Sequence, residues 1–339
     1  MKKLLFLSLI ALGTSCKNGA LVASKNADPT EYMRTITAED LKKHLYIIAA
    51  DSMEGRETGS TGQKKAGKYL ISQYQQNQVS SPKGAADYYQ AVPASFLNAK
   101  RNRNLPNSEN ILAFIEGSEK PEEVIVISAH YDHVGIENGE IYNGADDDGS
   151  GTSALLEIAQ AFQMAKKAGH GPKRSILFLH VTGEEHGLLG SRYYSENPLF
   201  PLANTVADVN IDMIGRRDVL HADTNNYVYI IGANRLSSEL DHISATMNQK
   251  YVGLDLDYRF NDPKDPNRFY ERSDHYNFAK YGIPSVFFFN GVHADYHKKS
   301  DEVDKIEFDA LEKRTQLAFV IAWELANRKN RIVVDADKK

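Results

Sequence analysis

Three aspartates, Asp146, Asp147 and Asp148, stand in a row inside "NGADDDGSGTSALLEIA", which begins at Asn143. Adjacent carboxylates raise one another's pKa and resist burial. The same residue types recur elsewhere: His130, Asp132 and His133 in "SAHYDHVG", Glu184 and Glu185 in "TGEEHGLLGS", Asp212 in "NIDMIG", and His293 and His297 in "HADYHKKSDE". Imidazole and carboxylate are the ligands Zn²⁺ takes when cysteine is absent, and the chain has a single cysteine. Two ions a few ångström apart need a shared carboxylate and about two further ligands each. A divalent pair also removes the repulsion between the acids. The pattern therefore reads as a metal centre in which one of the three aspartates bridges two cations while its neighbours shape the turn. Gly144, Ala145, Gly149 and Gly151 permit close backbone approach, and Ser150 or Thr152 is expected to cap the helix that follows. Spacing alone leaves His133 and His293 as rivals to His130 and His297. Mn²⁺ and Co²⁺ accept the same donors.

Such a centre needs elements that deliver its residues to one place. Continuous apolar runs beginning at Asn110, Glu123, Arg174, Thr205, Tyr227 and Ile283 read as buried strands. Helical spacing covers 37–49, 59–76, 153–168, 188–195, 236–249, 274–281 and 308–327. Strands alternating with helices predict an α/β fold, a three-layer α/β/α sandwich around a central, mostly parallel mixed sheet. In such sheets sites form beyond the carboxyl ends of the strands, and all the residues above follow such ends. The remaining histidines have ordinary settings: His44, His170, His221 and His242 in helix or loop contexts, His180 packed on a strand.

The 339 residues are enough for a large core. An apolar share of 42% and a charged share of 25% are those of a soluble globular chain. Forty basic against forty-five acidic residues give a net charge of −5, which carries no nucleic-acid footprint. The opening "MKKLLFLSLIALGTSC" pairs two lysines with a short apolar run, the pattern of an export signal rather than a membrane span. Cys16, placed where cleavage would fall, resembles a lipobox cysteine. The expectation is a lipid-anchored protein of the periplasm, outer membrane or cell surface, with residues 1–16 as leader and 17–34 as linker.

Taken together, these motifs, with "RSDHYNFAKYGIPSVFF", "DYHKKSDEVDKI" and the N-terminal "SMEGRETGSTGQKKAGKYL", resemble the zinc aminopeptidases of peptidase family M28, over roughly residues 35–325. The resemblance implies a zinc-exopeptidase-like fold, two Zn²⁺ per chain and peptide substrates with a free N-terminus. It implies His130, Asp147 and Asp212 as ligands of one ion and Asp147, Glu185 and His297 as ligands of the other. It implies Glu184 as general base, Tyr296 as a hydrogen-bond donor to the reaction intermediate, and a cis peptide between Asp147 and Asp148. Asp132 corresponds to a carboxylate that orients a metal-bound side chain; Asp274 is either a similar support or a helix cap. The protease-associated insert of many relatives has no room here, so 35–328 is expected to be one domain with a polar tail at 329–339. Pocket walls are then expected from 215–272. Other outcomes on the same fold are a single-zinc glutaminyl cyclase, a dipeptidase or carboxypeptidase, and a metal-free binding ectodomain.

Overall fold

The computed structural model describes residues 27–101 and 103–336. The expected leader and Cys16 lie outside the described residues. Among the described residues ten strands are formed: β1 Tyr89–Val92, β2 Ser108–Ile115, β3 Lys120–His130, β4 Gly135–Glu137, β5 Glu140–Tyr142, β6 Arg174–Val181, β7 Thr205–Ile211, β8 Tyr227–Ile231, β9 Asp255–Asp257 and β10 Ser285–Phe289. β4 and β5 make a separate hairpin. The others form one sheet in the order β1-β2-β6-β3-β7-β10-β8-β9. Its centre, β6-β3-β7-β10, is parallel, while β1, β2 and β8 pair antiparallel with their inner neighbours.

The apolar runs explain this centre. Successive side chains of a strand point to opposite faces, and in β3 and β6 both faces are covered. Ile125 and Ile127 join Ile176 and Phe178 in the larger core, with Leu155, Ile158 and Phe162 of helix α3 (Gly151–Lys167) and Phe319 and Trp323 of helix α7 (Phe308–Asn327). Val124 and Val126 join Leu177 and Leu179 in the smaller core on the other face, beneath Tyr194 of α4 (Leu189–Glu196) and Phe278 of α6 (His275–Ala279). The three layers are those expected. α1 (Ala38–Ile48) and α2 (Thr61–Asn77) begin at hydroxyl caps, Thr37 Oγ1 accepting from the Asp40 N–H at 3.2 Å and Ser60 Oγ from the Gln63 N–H at 3.2 Å.

Differences lie at the edges. β1 and β9 were not legible as strands: β1 has only four residues, and β9 is the three-residue Asp-Leu-Asp. The helix expected over 236–249 breaks at Ser237, whose hydroxyl caps α5 (Ser238–Met247) by accepting from the Leu240 N–H at 3.2 Å. Ordered packing starts before residue 35: a turn at Thr30–Met33 buries Tyr32, which stacks on Trp323 with ring centres 5.7 Å apart. The tail is also held, because Ile332 is buried and Asp335 accepts from the Ser238 N–H at 2.9 Å. Among the described residues no helix is long and apolar enough to cross a membrane.

His180 on β6 is fully buried, with Nε2 2.7 Å from the Tyr74 hydroxyl. Burial brings its pKa from 6.5 down to about 3. The native state keeps the ring neutral while the unfolded chain protonates it, so its contribution to stability is complete above pH ~6.5 and is lost as pH falls toward ~3. In urea unfolding between about pH 6 and 4, the native protein should lose stability more steeply than the His180→Leu variant, by up to ~1.4 kcal/mol per pH unit. Equal slopes would contradict this.

Candidate metal centre

His130 is the last residue of β3, Asp212 follows the last residue of β7, and Glu184 and Glu185 lie just past β6. Asp147 and Asp148 sit in the turn that enters α3, and His297 in the loop after β10. The parallel core thus brings them together at its carboxyl edge. The Asp147 carboxylate faces two imidazoles: Oδ1 lies 3.2 Å from His130 Nε2, and Oδ2 lies 3.0 Å from His297 Nε2. His130 Nε2 is 3.5 Å from Asp212 Oδ1, and His297 Nε2 is 3.0 Å from Glu185 Oε2. Two donor sets therefore share one carboxylate. Asp147 Oδ2 and Glu185 Oε1 are buried without a hydrogen-bond partner. Donors each about 2.0–2.1 Å from one tetrahedral ion stand ~3.3 Å apart. The spacing, the donor types and the orphaned oxygens fit divalent cations.

The three aspartates divide the work. Asp146 turns away from the centre; Oδ1 accepts from the Gly215 N–H at 2.6 Å, and Oδ2 lies 3.0 Å from His293 Nε2. His293 is thereby engaged with Asp146. Asp148 accepts at Oδ1 from the N–H groups of Gly151 (2.8 Å) and Met213 (3.1 Å). The start of α3 is thus capped by Asp148 and by neither expected hydroxyl: Ser150 donates to the Asp146 carbonyl and Thr152 to that of His130. The peptide between Asp147 and Asp148 is cis. Asp301, which follows His297, accepts from the N–H groups of Asp146 at 3.0 Å and Asp147 at 3.1 Å. Gly144 has φ +54, and a Cβ there would lie 2.4 Å from the His133 ring.

The supports differ in part from expectation. His130 Nδ1 lies 3.0 Å from the main-chain oxygen of Asp132, while that residue's carboxylate is 3.9 Å away. The carboxylate accepts instead from Thr58 Oγ1 (2.8 Å) and from the Glu184 N–H (3.2 Å), so it positions Glu184. Asp212 Oδ2 accepts from Ser273 Oγ at 2.6 Å, which leaves Oδ1 toward His130. Asp274 precedes α6 without capping it; burial pushes its carboxyl up to about 7. His133 is fully buried, with Nδ1 2.8 Å from Glu185 Oε1 and 3.8 Å from Asp147 Oδ2.

Burial and neighbouring acids split the carboxyls. Burial, aided by Glu185 and Asp212, pushes Glu184 well above the usual carboxylate range. Burial would raise Glu185 as well, but His133 and His297 overcome it and hold Glu185 at about 2. Burial would lower His297, yet Asp147 and Glu185 bring it up to about 10. Beneath the acids sits Arg56, a fully buried cation that was not singled out from the sequence although it lies in the "SMEGRETG" motif. Its guanidinium donates to the carbonyls of Tyr131, Ile48, Asn143 and Gly144 at 2.6–3.0 Å. It thereby ties β3, α1 and the aspartate turn together.

A pocket opens beside the donor sets, walled by Met213, Phe269, Phe287, Phe289 and Val292, with Arg272 also lining it. The expected supplier, 215–272, gives only Phe269 and Arg272; residues 262–266 line a separate hollow. The Tyr296 hydroxyl also lines the pocket, 3.4 Å from Arg272 Nη2. Burial, then Asp147 and Glu185, push its pKa upward, so the hydroxyl stays protonated.

The profile of "Peptidase family M28" matches residues 110–322. The chain is 28% identical over 261 residues to a "Probable leucine aminopeptidase" of Trichophyton verrucosum, an alignment that spans 74% of this chain and 68% of that one. It is 27% identical over 228 residues to "Leucine aminopeptidase 1" of Penicillium rubens, spanning 64% of this chain and 56% of that one. Among solved structures, the aminopeptidase of Aneurinibacillus sp. strain AM-1 superposes with a TM-score of 0.66 at 15% identity, covering 91% of this chain and 98% of that one. That likeness establishes the shared fold.

Replacing Arg56 by methionine would leave the carbonyls of Tyr131, Ile48 and Asn143 without their donor, while that of Gly144 keeps the Gly149 N–H. Each unsatisfied group costs ~1–3 kcal/mol, so Arg56→Met should lower unfolding free energy by at least ~3 kcal/mol in urea melts. A loss below ~1 kcal/mol, the range of exposed sites, would contradict the clamp.

Proposed function

The chain belongs to peptidase family M28, and from that premise we propose that it is a metal-dependent aminopeptidase that removes N-terminal residues from peptides. The observation that carries this reading is the Asp147 carboxylate, one oxygen 3.2 Å from His130 and the other 3.0 Å from His297. A carboxylate so placed serves two ions at once. One Zn²⁺ would be held by His130, Asp147 and Asp212, the other by Asp147, Glu185 and His297. A divalent pair of this kind lowers the pKa of water and polarises a carbonyl.

The chain's own groups supply the remainder. Glu184, high in proton affinity and fixed through its N–H by Asp132, takes a proton from the attacking water and returns it to the leaving amine. Tyr296, kept neutral, donates to the oxygen on which negative charge develops. The apolar wall takes the side chain of the N-terminal residue, and the free α-amino group is held among the carboxylates at the pocket floor. Export and lipid attachment through Cys16 belong to the same proposal, supported by the sequence Met1–Cys16.

Glu184→Gln should keep both metals while kcat falls by about 10²–10⁴; normal turnover would remove Glu184 from the mechanism. Glu185→Ala should lose zinc as well as activity, and two zincs per chain in that variant would refute its place among the ligands. A chelator should abolish release of the chromophore from a leucyl chromogenic amide, and the N-acetylated analogue should resist the native enzyme. Equal cleavage of the acetylated analogue would favour a different peptidase activity of the same fold.

A further inference from the structure

The ligands proposed above do not account for His133. Its ring is fully buried, and neither nitrogen has a hydrogen-bond partner. Each orphaned polar atom in a buried side chain costs the desolvation of a donor or acceptor without return. The ring cannot turn to find partners elsewhere, since the Gly144 backbone lies so close that a Cβ there would stand 2.4 Å from two ring carbons. What Nδ1 does face is the second donor set, Glu185 Oε1 at 2.8 Å and Asp147 Oδ2 at 3.8 Å. Both oxygens are themselves buried without a hydrogen-bond partner. His297 reaches the same two carboxylates from the other side, with its ring centre 5.8 Å from that of His133 and the planes 68° apart. Three metal-ligating side chains, His133, Glu185 and Asp147, thus converge on one point opposite His297.

We infer that His133 is a further ligand, through Nδ1, of the ion held by Asp147, Glu185 and His297. The inference rests on the two-metal reading and adds to it. The donor sets are then unequal: Asp147, Glu185, His297 and His133 enclose one ion, while His130, Asp147 and Asp212 hold the other. Four protein donors make a closed Zn²⁺ site, whereas three leave a position open. The enclosed ion would be the more tightly retained of the two.

The test is the structure of the zinc-loaded native protein, with ions located by anomalous scattering. The inference expects Nδ1 of His133 about 2.0–2.1 Å from one ion. Two ions present with Nδ1 more than about 3 Å from both would overturn it and leave the two-metal reading standing; uptake of no ion would overturn that reading itself. In solution, zinc competition against a chelator should show His133→Ala giving up its last ion at a free zinc concentration where the native protein still retains one. Retention of the last ion by variant and native protein down to the same free zinc concentration would again overturn the inference.

Discussion

Concentrated negative charge at the carboxyl edge of a parallel sheet is the constraint from which the rest of the structure follows. Asp132 just past β3, Asp146, Asp147 and Asp148 in the turn that enters α3, and Asp301 in the segment between β10 and α7 are all buried. Buried acids persist only where positive charge, donated hydrogens or metal ions meet them. Donated hydrogens meet most of them here: Asp146 and Asp301 are engaged at both oxygens and Asp148 at one, and Arg56 supplies a cation from beneath. Asp147 and Glu185, which face the imidazoles, and Asp148 each keep a buried oxygen without a donor. The other acids form a rigid cup, and Asp147 and Glu185 point into it.

That division links fold to chemistry. The parallel strands set where His130, Glu184 and Asp212 emerge, and the loops between them set orientation. Orientation is delegated to neutral groups wherever a second charge would compete. Ser273 fixes one oxygen of Asp212, and a main-chain carbonyl fixes His130. Main-chain N–H groups hold the aspartate turn. Lysine is absent from the lining of the pocket among the described residues, and Arg272 is the one guanidinium on it. A pre-set cavity of this kind loses little by reorganisation when charge develops in it.

Much of this was legible in the sequence because burial on both faces of a strand leaves continuous apolar runs. Those of β3 and β6 located their own carboxyl ends, and with them His130 and Glu184. What escaped depends on contacts between distant segments. Arg56 receives its meaning from carbonyls at Ile48, Tyr131, Asn143 and Gly144, which meet only in the folded chain. The choice between Asp148 and Ser150 as cap of α3 turned on geometry within three residues, below the resolution of any pattern. The role of Asp132 split between its main chain and its carboxylate, a distinction that residue type does not encode. β9 was invisible because its two aspartates lack strand propensity and β8 supplies its pairing.

The central claim is that one carboxylate serves two ions, and zinc stoichiometry of an Asp147→Ala variant tests it most directly. The main-chain N–H of residue 147 remains to bond Asp301, so the turn keeps its anchor. Zinc-loaded native protein should carry two ions per chain, and the variant, folded by circular dichroism, should no longer carry two at micromolar free zinc. Two ions still bound in the variant would contradict the account.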